Sequence, residues 1–192
     1  HTSQVFHGKP VAETLKMLPL LFNICGTAQA CAAVRACEAA LGVTAPPEIN
    51  TVREQLVRME TLKEHLWRIL NDWPVFYGEP SDQAGMAEML SIQREYRKVL
   101  CNDDDPFQAG ATDFHQEYEG IEKIIVRLLG LLERTVFGIQ PGQWLEIGRL
   151  DEMEAWTARQ QGHAAKLINE IIEAGWADAG RCEVEPLPEL EP

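Results

Sequence analysis

The sequence predicts an all-α fold, a multi-helix bundle, on three observations. Apolar residues recur at helical spacing along most of the 192 residues, no stretch alternates as a strand does, and Gly and Pro divide the chain into segments of helix length. The length fits one domain of the usual ~100–200 residues, and 45% hydrophobic residues suffice for a core. We therefore predict a single helical domain over residues 1–180 and an extended tail or linker over 181–192.

Four helices are expected in the first part of the chain. An apolar segment opens after Pro10, and Pro19 should end or kink it. An Ala-rich helix follows over about residues 23–41, where small side chains let neighbouring backbones come close. The third helix is predicted from a capping box at Thr51, about residues 51–72, and the fourth over about 82–100.

The second part of the chain is expected to hold two long helices. The fifth, about residues 113–137, has the strongest apolar stripe in the sequence. A short segment around Trp144 leads to the sixth, about residues 151–174. Six helices joined by short loops form an ordinary bundle.

Charge excludes two classes of partner. The formal net charge is −13, and after Asn50 there are 27 acidic residues against 14 basic ones. Such a surface repels phosphate backbones and anionic lipid, and no run reaches the ~20 apolar residues that span a bilayer. Five cysteines without a CxxC pair favour neither a disulfide framework nor a zinc site, so the reducing cytoplasm is predicted.

Familiar catalytic motifs are missing from the sequence. It has no phosphate-binding glycine loop, no GxSxG and no HExxH, and none of its histidines follows a Glu-x-x-His pattern. Glu60 and Glu64 lie one helical turn apart, a spacing that favours a solvated helix face over paired catalytic carboxylates. The residues alone therefore supply no catalytic motif, and the expectation of a protein that is not an enzyme comes from the resemblance described below.

One cysteine has a position that suits chemistry. Cys25 is followed by Gly26 where the Ala-rich helix is expected to begin, and the positive end of a helix favours a thiolate. A buried, inert cysteine is an equally good interpretation from the residues alone. Cys31 and Cys37 are interpreted as small buried hydrophobes.

The residues from Gly8 to Val43 resemble the N-terminal metal-site region of the nickel–iron hydrogenase large subunit. The shared features are a Gly-basic-Pro start, a Cys-Gly pair and a small-residue helix that ends at Gly42. Laid on that family without gaps, Cys25 occupies the position of its second cysteine and Gln29 that of its histidine. Phe22 stands where the first cysteine would be, and Leu20 where the arginine would be.

The departures indicate a particular branch of that superfamily. Only one N-terminal cysteine is kept, and residues 185–192 carry no C-terminal cysteine motif, so this chain cannot build a nickel–iron centre by itself. The Cys-Gly-x-Ala-Gln run at 25–29, the segment 64–74 and the Phe137-Gly138 pair before Trp144 resemble hydrogenase expression/formation proteins of the HupK/HoxV type. That resemblance implies a maturation scaffold for the iron half-site, Fe(CN)2CO, with no nickel.

The resemblance also assigns the site residues. It implies Cys25 as the iron ligand, Gln29 as a donor one turn along, and His65 as a further neighbour, with Arg53 and Glu60 structural. Expected partners are the hydrogenase large-subunit precursor and other maturation proteins. A metal-free helical module that binds the precursor is the alternative. Because the chain begins at His1 rather than Met, we expect upstream sequence to be missing, and the resemblance implies that the chain is the N-terminal part of a longer protein.

Overall fold

The computed structural model describes residues 2–102, 104–112 and 118–185, and the prediction of an all-α fold is confirmed. The described residues contain helices and no strand. The helices are α1 (Thr2–Phe6), α2 (Val11–Leu21), α3 (Gly26–Leu41), α4 (Pro47–Trp67), α5 (Trp73–Phe76), α6 (Gln83–Cys101), α7 (Tyr118–Leu132), α8 (Pro141–Leu145), α9 (Leu150–Ala158) and α10 (Gly162–Glu173). Residues 113–117 of the predicted fifth helix lie outside the described residues, and the division at residue 180 stays a prediction.

The core lies between α3, α4, α6 and α7. Helix α6 packs on α4 and on α7, while α2 packs on α3. Their shared apolar cluster includes Val34, Val52, Leu70, Leu100 and Leu131, all fully buried. This arrangement holds the N-terminal end of α3 at the surface, beside the C-terminal half of α4.

Two helix boundaries differ from the sequence prediction. Pro19 lies inside α2, which continues to Leu21. Helix α4 begins at Pro47 rather than at a Thr51 capping box, because proline at the first position needs no N–H partner and has its φ preset for the helix. Thr51 is inside the helix, where its hydroxyl donates to the Pro47 carbonyl at 2.9 Å. The capping-box prediction was therefore wrong.

The predicted end at Trp73-Pro74 was also wrong. Residues Arg68–Asp72 form a π-helical turn that leads directly into α5, and Pro74 lies in the first turn of that helix. Proline is tolerated there because the first N–H groups of a helix have no intrahelical partner. A second π-helical turn, Glu133–Phe137, extends α7 to Gly138, which closes it in the left-handed conformation.

The predicted sixth helix is two helices, α9 and α10. The left-handed backbone of Gln160 (φ 49°) and Gly162 (φ 79°) interrupts the helix between α9 and α10. The break allows Gly162 to lie directly against the backbone of the π-helical turn at Val136. Trp156 on α9 anchors the same corner, where its indole N–H donates to the Phe137 carbonyl at 2.8 Å.

A partly buried histidine, His163, joins α10 to the loop before α6. The Nδ1 atom of His163 lies 2.5 Å from the Tyr77 hydroxyl, and its Nε2 atom lies 3.7 Å from Asp82. On the same side, Lys166 pairs with Glu79 at 2.6 Å. Burial lowers the pKa of His163 below its usual 6.5, the largest effect, although the Asp82 carboxylate opposes it.

The lowered pKa of His163 predicts that the stability of the fold depends on pH. Because the pKa of His163 is lower in the folded chain than in the unfolded one, the unfolded chain takes up the proton first. The free energy of unfolding should therefore fall as the pH drops below about 6.5, before the carboxylates titrate. Urea unfolding between pH 7 and 5 measures the slope, and His163→Gln should flatten it. An unchanged slope in that variant would contradict the assignment.

Candidate functional site

Cys25 lies at the start of α3, with its side chain exposed to solvent. It is the residue that precedes the first helical residue, Gly26, and its carbonyl accepts the N–H of Gln29 at 3.0 Å. The Gln29 side-chain amide donates in turn to the Cys25 Sγ atom at 3.9 Å. Cys25 is therefore not buried, and Gln29 lies one turn along beside it, whereas the roles predicted for the two residues stay predictions.

Gly26 is required by the packing of α2 on α3. A Cβ atom at this position would lie 2.8 Å from the Pro19 carbonyl oxygen and 3.3 Å from its Cα, closer than such contacts normally allow. The missing side chain thus lets α2 approach the first turn of α3. The Cys-Gly pair therefore places an exposed thiol, on Cys25, next to the point where the backbone of α2 at Pro19 approaches Gly26.

Glu60 closes the N-terminal end of α3 from α4. Its two carboxylate oxygens accept the backbone N–H groups of Thr27 at 2.7 Å and Ala28 at 3.0 Å. A helix N-terminus carries unpaired N–H groups and partial positive charge, which a carboxylate satisfies. Glu60 is 8% exposed, so the prediction of a solvated face was wrong for it and the structural role is confirmed.

Arg53 and Glu38 fix α3 against α4 at its other end. The guanidinium is fully buried and donates two hydrogen bonds of 2.8 Å to the Glu38 carboxylate. The other N–H groups of Arg53 reach the oxygens of Pro106, Asn50 and Gln108. The Arg53 guanidinium holds the pKa of the Glu38 carboxyl below its usual 4.5 against the opposing effect of burial. The prediction that Arg53 is structural is confirmed by these contacts.

Apolar residues precede Cys25 along the chain, and several of them are exposed. Leu20 is 79% exposed and Ile24 is 60% exposed, while Leu21 is exposed and Phe22 is half-buried. Phe22 stands where the resembling hydrogenase family carries another cysteine. The Gln29 amide is therefore the hydrogen-bond donor to the thiol, and the residues just before Cys25 carry no second sulfur ligand.

His65 lies apart from this arrangement. It is exposed on α4, five residues beyond Glu60, which turns it about 140° around the helix from the side chain that reaches α3. Among the residues that the structure describes, no three His, Cys, Asp or Glu side chains converge as a metal site. The structure thus brings Cys25 and Gln29 together and leaves His65 outside, so the role predicted for His65 has no supporting contact.

The other cysteines divide by burial. Cys31 is buried, as predicted, and Cys37 is half-buried against the core; Cys101 is buried and Cys182 is exposed. Burial raises the pKa of the Cys101 thiol to about 11. Cys25 is accordingly the exposed thiol on the helical core, with Cys182 in the extended segment as its counterpart.

A thiol-labelling experiment should reproduce this division. At neutral pH, we expect Cys25 and Cys182 to react quickly with iodoacetamide and Cys101 to react only after denaturation, because a buried thiol of raised pKa holds its proton. Mass spectrometry of tryptic peptides at successive times measures the rates. Protection of Cys25 comparable with that of Cys101 would contradict the exposed position.

Replacing Glu60 should loosen the first turn of α3. Glu60→Ala leaves the N–H groups of Thr27 and Ala28 without their acceptor, which should lower the free energy of unfolding by about 1–2 kcal/mol. Hydrogen exchange at the first turn of α3 should rise with it. Glu64→Ala, one turn further along α4 and paired at the surface with Lys63, is the control and should change neither measurement appreciably. Equal effects of the two variants would contradict the capping role.

These features define a class of protein. It is all-helical, it has an exposed thiol (Cys25) at the start of the core helix α3, and the carboxylate of Glu60 caps that helix. The chain is 38% identical over 190 residues to the hydrogenase expression/formation protein HupK of Azotobacter vinelandii, covering 98% of this chain and 53% of that relative. It is 31% identical over 142 residues to HoxV of Cupriavidus necator, or 74% of this chain and 32% of the relative. The match to HupV of Azotobacter chroococcum is 42% over 71 residues, or 37% and 21%.

The chain is therefore a homologue of the hydrogenase expression/formation proteins of the HupK/HoxV type, which confirms the sequence resemblance. It spans about half the length of HupK. No protein-family model and no solved structure matches it. Within the described ranges, every helix is too short or too polar to cross a membrane.

Sequence reasoning missed the capping role of Glu60 and the buried pair of Arg53 with Glu38. A signal was present for both. Glu60 lies four residues after the buried Leu56 and Arg53 lies three residues before it, so both positions share the core-facing side of α4. A charged residue at a core-facing position indicates a buried partner, which the sequence alone did not identify.

Proposed function

We propose that this chain acts in hydrogenase maturation as a non-enzymatic scaffold, which holds the iron half-site Fe(CN)2CO before its transfer to a large subunit. The observation that carries the proposal is the exposed Cys25 thiol at the start of α3, in a chain homologous over 98% of its length to HupK. The iron fragment is cargo in this proposal. The cytoplasm is the proposed location, since hydrogenase precursors and the other maturation proteins are the proposed partners.

The surroundings of Cys25 suit temporary binding. One soft thiolate holds an iron–cyanide fragment through a single bond, whereas several thiolates retain a metal. Phe22 stands where a second sulfur ligand would otherwise be. The Gln29 amide donates to the Cys25 Sγ atom, and in this proposal it also donates to an electron-rich ligand of the bound iron. Glu60 and the Gly26–Pro19 contact keep the thiol fixed on the head of α3 while its outer side stays open.

Infrared spectroscopy with iron analysis tests the proposal. The protein, produced together with a hydrogenase maturation system, should show CN and CO stretching bands and bound iron. Cys25→Ser should remove both, and Cys182→Ser, the matched control at the other exposed cysteine, should keep them. Bands that persist in Cys25→Ser, or that are absent from the unsubstituted protein, would overturn the assignment of the ligand.

The arrangement of the His, Cys, Asp and Glu side chains favours a second function. Because no three ligating side chains converge within the described residues, the chain can also serve as a metal-free module that binds a hydrogenase precursor. Co-purification with the precursor distinguishes the two. The module should keep its partner in Cys25→Ser and carry no infrared bands in any variant, whereas the scaffold should lose its bands in that variant alone.

A further inference from the structure

Three adjoining cavities form one groove across α2, the C-terminal half of α6 and the segment 104–109. A middle cavity of about 200 Å³ is lined by Lys16, Arg97 and Asp105 together with Pro19 and Thr27. It shares Lys16 and Asp105 with a cavity of about 260 Å³ on one side. It shares Arg97 and Asp105 with a cavity of about 350 Å³ on the other. The shared walls place the three cavities side by side.

One end of the groove is cationic. The exposed side chains of Arg94, Arg97 and Lys98 line the cavity of about 350 Å³, and Lys16 lines the middle one. None of these four cations forms a salt bridge to a carboxylate in the part of the chain that the structure describes. Asp104 and Asp105 are the carboxylates that line the same two cavities.

Most cations of the described residues have a carboxylate partner. The chain carries a net charge of −13, and most of the cations outside the groove are paired, such as Arg127 with Glu95 and Arg134 with Glu88. Four cations gathered in one groove therefore make a local region of opposite sign. Such a region attracts an anionic partner at close range while the remaining surface repels polyanions.

The other end of the groove is lined mainly by apolar side chains, together with Lys16, Asp105 and Gln108. Val11, Ala12, Leu15, Phe107 and Ala109 line most of the cavity of about 260 Å³. This volume suits one or two aliphatic side chains. The segment that shapes it is held by an Asp105 carboxylate oxygen, which accepts the Phe107 N–H at 3.0 Å. The groove thus has two parts. We call the cavity with the apolar lining the socket, and the two cavities lined by the four cations the trough.

We propose that this groove binds an acidic peptide segment of a partner protein, with an apolar side chain in the socket and carboxylates along the trough. A nucleic acid fits less well, because Asp104 and Asp105 interrupt the trough and its lining offers no exposed aromatic ring on which a base could stack. A single inorganic anion leaves the apolar socket without an occupant. The peptide uses both ends.

Thr27, which lines the middle cavity of the groove, lies two residues after Cys25 along the chain. A partner segment bound in it therefore lies beside the head of α3. Peptide binding does not depend on iron at Cys25, since none of the groove residues is a proposed iron ligand. The two proposals can consequently fail separately.

Fluorescence anisotropy tests this site with the full chain. The probe is a short labelled peptide of glutamate and leucine residues. Its binding should weaken as salt rises toward physiological ionic strength, because exposed charges are then screened within about 8 Å. Replacing its leucines with serine, or its glutamates with glutamine, should weaken it further. A single-stranded RNA of equal charge and inorganic phosphate are the comparison ligands.

The decisive variant pair is Arg97→Gln with Lys98→Gln, against Arg159→Gln with Arg181→Gln outside the groove. Both pairs remove two positive charges from exposed positions. The groove pair should bind the peptide about threefold to tenfold more weakly and the control pair should bind normally, as expected for exposed ion pairs. Equal effects of the two pairs, no peptide binding at low salt, or tighter binding of the RNA would overturn the proposal. Binding of Cys25→Ser equal to that of the unsubstituted chain is expected.

Discussion

Arg53→Met is expected to lower the free energy of unfolding by about 3–5 kcal/mol, because it leaves the Glu38 carboxylate buried without its partner. The carboxylate is 5% exposed, and the Gly110 N–H at 3.3 Å is the remaining hydrogen-bond donor to it. The loss also frees the carbonyl oxygens of Pro106 and Gln108, which Arg53 ties to α4. Chemical denaturation, followed by far-ultraviolet circular dichroism, measures the free energy of unfolding.

The matched control is Arg35→Met, the same substitution at an exposed arginine. Arg35 pairs with Glu54 at 3.0 Å, and both side chains are about half exposed, so the expected loss is below about 1 kcal/mol. Arg53→Lys should lie between the two, since a lysine keeps the charge but cannot fill the forked hydrogen-bond pattern of the guanidinium. A loss at Arg53→Met no larger than that at Arg35→Met would contradict the buried pair.

The same pair determines a pH dependence with a definite sign. In the unsubstituted protein, Arg53 lowers the pKa of Glu38, so the stability that this pair contributes is present above pH 4.5 and falls as acid protonates the carboxyl. In Arg53→Met the buried carboxyl has lost its cation, and burial then favours its protonated form. The difference in stability between the two proteins should therefore shrink as the pH is lowered.

Local patterns accounted for most of the helices but not for how they meet. The Ala-rich run, the glycine after Leu41 and the apolar stripe of α7 predicted helices that the structure contains. The start of α4 was misplaced because Pro47 and Thr51 both signal a helix start, and the earlier one prevailed. Boundaries of this kind depend on which local signal the tertiary contacts favour.

The candidate site was predictable only in part. Cys25 and Gln29 are one turn apart on one helix, so their proximity follows from sequence spacing. Glu60 is more than thirty residues from the amides that it accepts, and the groove joins α2 to α6 and the segment after it. Contacts between distant segments leave no periodic pattern in the sequence, so neither the cap nor the groove could be derived from it.

Gly162→Ala has the second largest expected effect, because the break between α9 and α10 depends on this glycine in two ways. Its φ of 79° is a conformation that alanine adopts only with strain, and an added Cβ would lie 2.4 Å from the Val136 carbonyl oxygen. That oxygen belongs to the π-helical turn at the end of α7, which is backbone and cannot turn aside. We expect a loss of about 3 kcal/mol in the free energy of unfolding, from strain and steric overlap together.

Gly175→Ala separates the two contributions. Gly175 has a similar φ of 70°, but an added Cβ there would meet no atom within 4 Å, so its substitution imposes the backbone strain alone. This variant should lose only about 1 kcal/mol. Gly162→Ala should also displace His163, the next residue, from Tyr77, and so weaken the fall in stability between pH 7 and 5. Equal losses in the two alanine variants would show that the contact of α10 with Val136 adds nothing to the strain.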